Sequence, residues 1–587
     1  MSSSTGVTGS EQLNRLSCKR CKERKVRCNR VMPQCGRCKP NDLECVYPVR
    51  VKRRSARSLI DPALSADGSN AALSTILDRL QRLEAQTAAG SSSTNGQSIP
   101  TPSGDGSEVS SSPVAFSTTG HESSALTPQN HGHEMDAMTV LKDAVDQVQE
   151  LRKKSFGSTA ITSSIDIPTD LAKTWVANYF QHMPACMFLG LLDRRIIDLI
   201  PDIINLPHIH VDPVILVIYY SIMYHGCSLK ASNVASTSSL GYMNSSYLGC
   251  LRAVPSWERE ASGTMTDLIA ALFTSRVAAE FFDYDLAWKM FKHACEYCQT
   301  LNLHKLDSDE NNTFFSEAKC DNERRGFWEV IQIDLFYRLI LNTPPVITND
   351  IWKVNLPWLD PDSDPLPQGM QTIAFLASSR VSLVIARFFA MLDDPENTTK
   401  PEIVAKTEDL CREMQQIFTE WQLMEWLEGA QDNEQDIWVV ADVILTGYTS
   451  IIYMFRKMAL LNSTSPKPPT TDLDIPDSPI VEDAARRLIA ALNRLLVIYP
   501  YGVTMTALFG AYRCFVAFAY LANTILRAED PHSYMADIKA LERLSDQSTL
   551  LCRGNRDVMP LVKAMQSINE EIRKKLEKQT PRGRILP

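Results

Sequence analysis

Residues 18–45 read CKRCKERKVRCNRVMPQCGRCKPNDLEC and contain six of the fifteen cysteines in a chain of 587 residues. The spacing C-x2-C-x6-C occurs twice, and its second copy begins seventeen residues after the first. Each C-x2-C pair can direct two thiolates toward one metal ion, and zinc prefers four such ligands in a tetrahedron. The sequence therefore predicts a zinc site with the ligands Cys18, Cys21, Cys28, Cys35, Cys38 and Cys45.

Two zinc ions need eight ligand positions, and six cysteines supply them if two cysteines bridge the metals. The repeat predicts that Cys18 and Cys35 are the bridging pair, because each is the first cysteine of its half. A site closed by four protein ligands leaves no position for water, so it supports a fold rather than a reaction. We expect two structural zinc ions per chain in a module of residues 15–48.

A basic run lies between the first and third cysteines. Six of the eight other residues there are cationic. A metal-clamped turn with this surface is suited to the major groove of DNA, where it can meet guanine edges and phosphates. The candidate DNA-binding residues are Lys19, Arg20, Lys22, Arg24, Lys25 and Arg27.

The cysteine spacing and the basic run resemble those of the fungal binuclear zinc cluster transcription factors. The likeness extends to Pro33 and to Tyr47-Pro48, just past the last cysteine. The resemblance implies that the cations at Arg24 and Lys25 approach the bases of a CGG triplet, while flanking cations hold phosphates. It also implies double-stranded DNA with CGG-like half-sites as the partner.

Other interpretations of so many cysteines are weaker. Disulfides are disfavoured because residues 1–12 are polar and show no signal peptide, so we expect a reducing compartment. A metallothionein-like metal store would not need six cations packed between its ligands. A basic run alone is often a solvated face or a localisation signal.

Charge is divided unevenly along the chain, whose net charge is −9. Residues 1–60 contain 15 Lys and Arg against 4 Asp and Glu, whereas the rest contains 45 against 65. A basic N-terminal region followed by an acidic remainder favours a protein that contacts nucleic acid through its N-terminal region only. No apolar run approaches the length of a membrane span, and the longest, 214–224, is interrupted by Ser221. We therefore expect a soluble protein without a membrane partner.

The segment 49–70 is a basic linker that can contact the phosphate backbone of DNA or act as a nuclear localisation signal. A solvated charge run is the alternative. A nuclear location is expected. The cations concerned are Arg50, Lys52, Arg53, Arg54 and Arg57.

Residues 71–86 (AALSTILDRLQRLEAQ) show an a/d pattern over two heptads and predict a short coiled coil. The segment lies where the family places its dimerisation coil, so the resemblance implies a homodimer. An amphipathic helix that docks on the chain's own later domain is the alternative. The dimerisation candidates are Leu73, Ile76, Leu80 and Leu83.

Residues 87–134 are rich in Ser, Thr, Gly and Pro and predict a disordered linker. From residue 165 the apolar periodicity is helical, as at Leu171, Trp175 and Tyr179. A second helix face is predicted at Val481, Ala485, Leu488, Leu492 and Leu496. The segment 165–555 is long enough for a large all-α regulatory domain. Residues 556–587 predict a C-terminal helix and tail. The expected fold class is thus mostly α, with a small two-zinc module in front.

Three stretches of this region resemble the fungal transcription factor homology domain. They are Tyr179-Phe180 with Pro184 and Phe188, residues 294–305 (ACEYCQTLNLHK) and residues 323–346 (ERRGFWEVIQIDLFYRLILNTPPV). Asn302 stands where the family usually has glycine, and Asn342-Thr343 replace the glycine and arginine before Pro344.

The same motifs also have a structural interpretation, which we favour. Residues 327–339 carry an apolar stripe, while Arg324 and Arg325 can pair with acidic neighbours. Cys295-x2-Cys298 has no companion ligands on its helix, so packing is its expected role. Aromatic and acidic residues between 420 and 438 mimic an activation segment, but buried aromatics followed by a solvated loop explain them equally well.

These features favour a nuclear, sequence-specific DNA-binding transcription factor for RNA polymerase II that contacts the transcription machinery. A metabolic or secondary-metabolite gene set is the expected target. One alternative is a corepressor whose cluster binds protein. Another is an enzyme with a zinc targeting module, although the sequence shows no P-loop, H-E-x-x-H or G-x-S-x-G motif.

Overall fold

The chain divides into two compact units, Met1–Thr127 and Pro128–Pro587. The predicted basic linker, coil and disordered linker, residues 49–134, lie outside the described residues. The computed structural model describes residues 21, 28, 35, 38–39, 135–159, 164–182, 188, 191–227, 236–308, 317–348, 352–357, 370–393, 400–430, 434–462, 475–553 and 555–579.

The second unit is built from helices, and no strand occurs among its described residues. The predicted all-α class is confirmed. The helices are α1 (Ala137–Thr159), α2 (Thr169–His182), α3 (Arg194–Ile203), α4 (Pro213–Gly226), α5 (Ser236–Glu260), α6 (Met265–Glu280), α7 (Tyr284–Thr300), α8 (Glu317–Ile340), α9 (Met370–Leu392), α10 (Lys400–Glu420), α11 (Leu423–Gly429), α12 (Glu434–Asn462), α13 (Pro479–Ile498), α14 (Gly502–Thr506), α15 (Phe515–Arg527), α16 (Met535–Leu551) and α17 (Met559–Gln579).

Local sequence signals set several helix starts. At α6, the Thr264 hydroxyl and the Asp267 carboxylate form a reciprocal capping box. Asp212 caps α4 by accepting a hydrogen bond from the Val214 amide at 3.0 Å, and Pro213 occupies the first helical position. Ser478 and Pro479 repeat this arrangement at α13. These caps satisfy amides that the helix itself leaves without partners.

The apolar stripes read from the sequence form the core. Trp175 and Tyr179 of α2 are buried, and every apolar position predicted on α13 is at most 2% exposed. Helix α6 is buried on all sides from Asp267 to Glu280 except at Arg276. A helix that is apolar all round belongs inside a large domain, as α6 does.

The first and last described helices of the second unit pack together. Helix α1 contacts α15 and α17. The Ala137 amide donates to Asn523 Oδ1 at 2.7 Å, and Asn523 Nδ2 donates to Asp136 Oδ1 at 2.6 Å. Helix α1 precedes residue 165, where helical periodicity was first assigned, so the sequence interpretation missed this helix.

Asparagine takes the left-handed backbone conformation at both positions where the resembled family usually has glycine. Asn302 follows α7 with φ 57°, and Asn342 follows α8 with φ 54°. Asparagine tolerates this region better than other residues with a side chain. The Asn342 side chain also accepts a hydrogen bond from Lys457 Nζ at 2.7 Å. Both helices therefore end in the turn that glycine would make.

Replacing Asn302 by alanine should destabilise the helical unit by about 1–2 kcal/mol, because the left-handed conformation is sterically unfavourable for alanine. Asn302→Gly is the matched control and should keep the free energy of unfolding near the wild-type value. Urea unfolding of the three proteins, followed by circular dichroism, measures the difference. Equal midpoints for the alanine and glycine variants would contradict this account.

Among the described residues, two helices are long and apolar enough to cross a membrane by length and composition, namely Met370–Leu392 and Ile437–Leu461 within α12. A bent pair of helices, Gly502–Ala511 with Phe515–Arg527, also passes the test jointly. The expectation that no stretch reaches this length was wrong because it considered uninterrupted runs. In the fold, 56% and 78% of the two most apolar windows are buried inside the second unit.

Candidate metal centre

Four of the six predicted zinc ligands are among the described residues, and they are buried together. Cys21, Cys28, Cys35 and Cys38 are between 0% and 8% exposed and form one cluster. The sulfur atoms of Cys21, Cys35 and Cys38 lie within 4.8 Å of one another. In the part of the chain that the structure describes, this is the one group of three or more His, Cys, Asp or Glu with metal-ligand spacing.

A turn of backbone explains why the C-x2-C spacing brings two sulfurs to one point. The Cys38 amide donates to the Cys35 carbonyl oxygen at 2.9 Å, and the Lys39 amide donates to the same oxygen at 3.0 Å. These bonds form a helix-like turn, in which side chains three residues apart share a face. Cys35 and Cys38 therefore project to the same side.

The sulfur separations fit zinc better than a disulfide. Cys21 Sγ and Cys35 Sγ lie 3.7 Å apart. Two thiolates on a tetrahedral zinc, at a bond length of about 2.3 Å, stand about 3.8 Å apart, whereas a disulfide bond is about 2.05 Å long. Bound zinc would balance the buried thiolate charge and hold the module in its fold.

Cysteines from both halves of the repeat come together in this cluster, since the sulfurs of Cys21, Cys35 and Cys38 all lie within 4.8 Å of one another. Cys35 therefore lies near Cys21 from the first half as well as near Cys38 from the second half. One sulfur within reach of ligands from both halves is the arrangement that a metal-bridging thiolate requires. The geometry is compatible with a closed structural cluster, which has no catalytic chemistry.

The remaining predicted site residues lie outside the described residues. They are Cys18, Cys45, the cations Lys19, Arg20, Lys22, Arg24, Lys25 and Arg27, the basic-linker residues Arg50, Lys52, Arg53, Arg54 and Arg57, and the coil residues Leu73, Ile76, Leu80 and Leu83.

The third C-x2-C pair, Cys295 and Cys298, lies on α7 and is fully buried. Burial raises the pKa of both thiols above the usual value, and the charge of Asp334 raises that of Cys295 further. The protonated thiol is neither a nucleophile nor a metal ligand. The pair therefore serves as packing, as the structural interpretation of the sequence held.

The adjacent arginines of α8, Arg324 and Arg325, make different contacts. Arg324 donates to Asp307 at 2.6 Å and to Asp321 at 2.9 Å, as predicted. Arg325 instead lies over the Phe375 ring at 5.3 Å and forms no ion pair with a described residue. The pairing expected for Arg325 is thus not found among the described residues, where its side chain lines a cavity.

The aromatic residues between 420 and 438 take part in the fold. Met424 is buried, and Trp438 stacks on Tyr499 with ring centres 5.1 Å apart. These contacts favour a packing role over an exposed activation segment.

Two family models match the chain. Residues 16–54 match the fungal Zn(2)-Cys(6) binuclear cluster domain, and residues 195–438 match the fungal specific transcription factor domain. The abscisic acid cluster transcription factor abl7 of Leptosphaeria maculans is 45% identical over 42 residues, which are 7% of this chain and 7% of that protein. No solved structure matches.

The matches define a protein with a zinc cluster followed by a helical regulatory domain. The two matches support a fungal binuclear zinc cluster transcription factor. The cluster domain of this family binds two zinc ions, in agreement with the predicted cofactor. Both matched families are those of transcription factors and not of enzymes.

Proposed function

We propose that the protein is a nuclear, sequence-specific regulator of RNA polymerase II transcription that recognises CGG-type triplets. The observation that carries the proposal is the dense basic run inside the six-cysteine repeat. Zinc binding fixes the backbone of this run, and fixed cations can distinguish base edges rather than merely attract phosphate. The match of residues 16–54 to the cluster domain supports the same assignment.

In the proposed cluster, Cys18 and Cys35 bridge the two metals. Cys21 and Cys28 complete one zinc, whereas Cys38 and Cys45 complete the other. The proximity of the Cys35 sulfur to those of Cys21 and Cys38 supports its bridging role. The burial of Cys28 in the same cluster supports its place beside Cys21.

In the proposed DNA complex, Arg24 and Lys25 read bases, and other cations hold the backbone. Arginine and lysine are the side chains that pair best with the O6 and N7 atoms of guanine. Lys19, Arg20, Lys22 and Arg27 of the basic run, together with the basic linker, neutralise phosphates and add affinity that does not depend on sequence. The linker also serves as the nuclear import signal.

Residues 71–86 pair two chains in this proposal, so that each dimer reads two triplets. Leu80→Pro should abolish the preference of the full chain for two-triplet over one-triplet DNA while leaving the zinc content at two, because proline disrupts a helix without touching the cluster. Electrophoretic mobility shift with both duplexes measures the preference, and Leu80→Ile is the conservative control. Equal affinity of the unmutated protein for both duplexes would contradict pairing.

The proposed target is a metabolic or secondary-metabolite gene set, which the protein reaches through contacts with the transcription machinery. The name of the Leptosphaeria maculans relative, a cluster transcription factor, supports this kind of target.

Selection of preferred sites from random duplex DNA by the zinc-loaded full chain tests the proposal. We expect enrichment of CGG or its complement, at one fixed spacing if the chain pairs. Recovery of unrelated sequences would overturn CGG recognition. Recovery without any enrichment would favour the corepressor alternative, in which the cluster binds protein.

A further inference from the structure

A cavity of about 240 Å³ lies inside the helical unit. Residues of α6, α7, α8, α9 and α12 and of the segment 507–512 form its walls. Most of the lining is apolar, with the rings of Phe291, Phe336, Phe375 and Trp438 among it. Cavities of this kind, with a few polar groups in an apolar wall, are the usual form of small-molecule sites.

Most polar groups in the wall already have partners. Tyr512 donates to Asp442, and Arg276 pairs with Glu280 at 3.5 Å. Ser275 donates to the Ala287 carbonyl oxygen at 2.8 Å. These groups are satisfied without a ligand, so they do not explain what the cavity would bind.

Two groups on one face of α8 are different. The half-buried Arg325 forms no ion pair among the described residues, and its guanidinium rests on the Phe375 ring. The buried Gln332 Nε2 has no hydrogen-bond partner in the same part of the chain. A buried donor without a partner is destabilising, and a ligand acceptor would satisfy it. Arg325 and Gln332 are seven residues apart, about 10 Å along the helix.

We propose that this cavity binds a small aromatic carboxylic acid, with its ring among the aromatic side chains and its carboxylate at Arg325. Arg325, which forms no ion pair with a described residue, selects an anion, since Asp442 accepts from Tyr512 and Glu329 also has a partner. The volume of the cavity limits the size of the ligand. An apolar cavity of about 150 Å³ holds benzene, so this one accommodates roughly ten ring atoms. A ligand acceptor near Gln332 satisfies its amide.

This site lies within the second unit and does not depend on how the first unit reads DNA. The probe for its test is naphthalene-2-carboxylate, which has ten ring carbons and one carboxylate. Naphthalene-2-carboxamide has the same shape without the charge. Isothermal titration calorimetry on the full-length, zinc-loaded protein measures the affinity for both compounds.

We expect the carboxylate to bind with a Kd of about 1 mM or tighter and about tenfold more tightly than the carboxamide. Arg325→Gln should remove that preference. Gln332→Leu should leave the preference in place, because the single carboxylate of the probe lies at Arg325 and offers Gln332 no acceptor. Ser378→Trp should block both compounds by filling the cavity. Arg387→Gln, which removes an exposed arginine of α9 outside the cavity wall, should change neither affinity.

Absence of carboxylate binding at 1 mM would overturn the proposal. A preference for the carboxylate that Arg325→Gln leaves unchanged would also overturn it, because the probe would then occupy another site. Thermal melting of each variant without probe shows whether it is folded. If Ser378→Trp fails to fold, Arg325→Gln decides the outcome.

Discussion

Replacing Cys35 by serine is expected to abolish sequence-specific DNA binding and to lower the zinc content below two per chain. Cys35 is fully buried, and its sulfur lies within 4.8 Å of those of Cys21 and Cys38. A bridging thiolate serves both metals, so its loss should damage both sites. In so small a module the free energy of metal binding is the free energy of folding, and the DNA-binding surface should be lost with the metal.

Elemental analysis of the purified full chain and a mobility shift with CGG-containing DNA measure the two effects. Cys298→Ala is the matched control, because it removes a buried cysteine from the other C-x2-C pair. It should leave the zinc content at two. A Cys35→Ser protein that retains two zinc ions and full affinity would rule out the bridged cluster.

Lys25→Ala is expected to narrow the margin between CGG-containing and scrambled DNA by about 1–3 kcal/mol, roughly 5- to 150-fold in affinity. The reason is that a base contact to guanine contributes to discrimination as well as to affinity. Affinity for scrambled DNA should change much less. Fluorescence anisotropy titrations with both duplexes, over a series of salt concentrations, measure the margin.

Arg53→Ala is the matched control, since it removes one cation from the basic linker instead of the basic run. It should weaken binding to both duplexes alike and reduce the slope of log affinity against log salt by at most about one. If Lys25→Ala keeps the full margin, Lys25 is not a base-reading residue.

The metal centre could be predicted from the sequence because repeated C-x2-C spacing has few explanations other than metal binding. Cys35 and Cys38 must share one face of a turn for C-x2-C to hold a metal, and the backbone bonds to the Cys35 carbonyl oxygen produce that turn. The stripes of α2 and α13 were likewise readable, since helical periodicity places apolar side chains on one buried face.

Contacts between residues that are distant in the sequence could not be predicted from local patterns. The sequence gives no reason to distinguish Arg324 from Arg325. In the structure, Arg324 donates a hydrogen bond to Asp307, whereas Arg325 lies over the ring of Phe375 and lines a cavity. Which neighbour each side chain finds depends on where α9 packs, and no local pattern fixes that position. Helix α1, which directly follows a polar tract, was also missed, although residues from Ala137 to Phe156 contribute to the core.

The central claim is that the zinc-loaded cluster reads DNA sequence. The most direct measurement is the ratio of affinities of the full chain for CGG-containing and scrambled duplexes, taken with zinc bound, after zinc removal and after zinc is restored. We predict a ratio of about a thousand or more with zinc, near one without it, and recovery when zinc returns. A ratio near one with zinc bound, or a large ratio that survives zinc removal, would contradict the account.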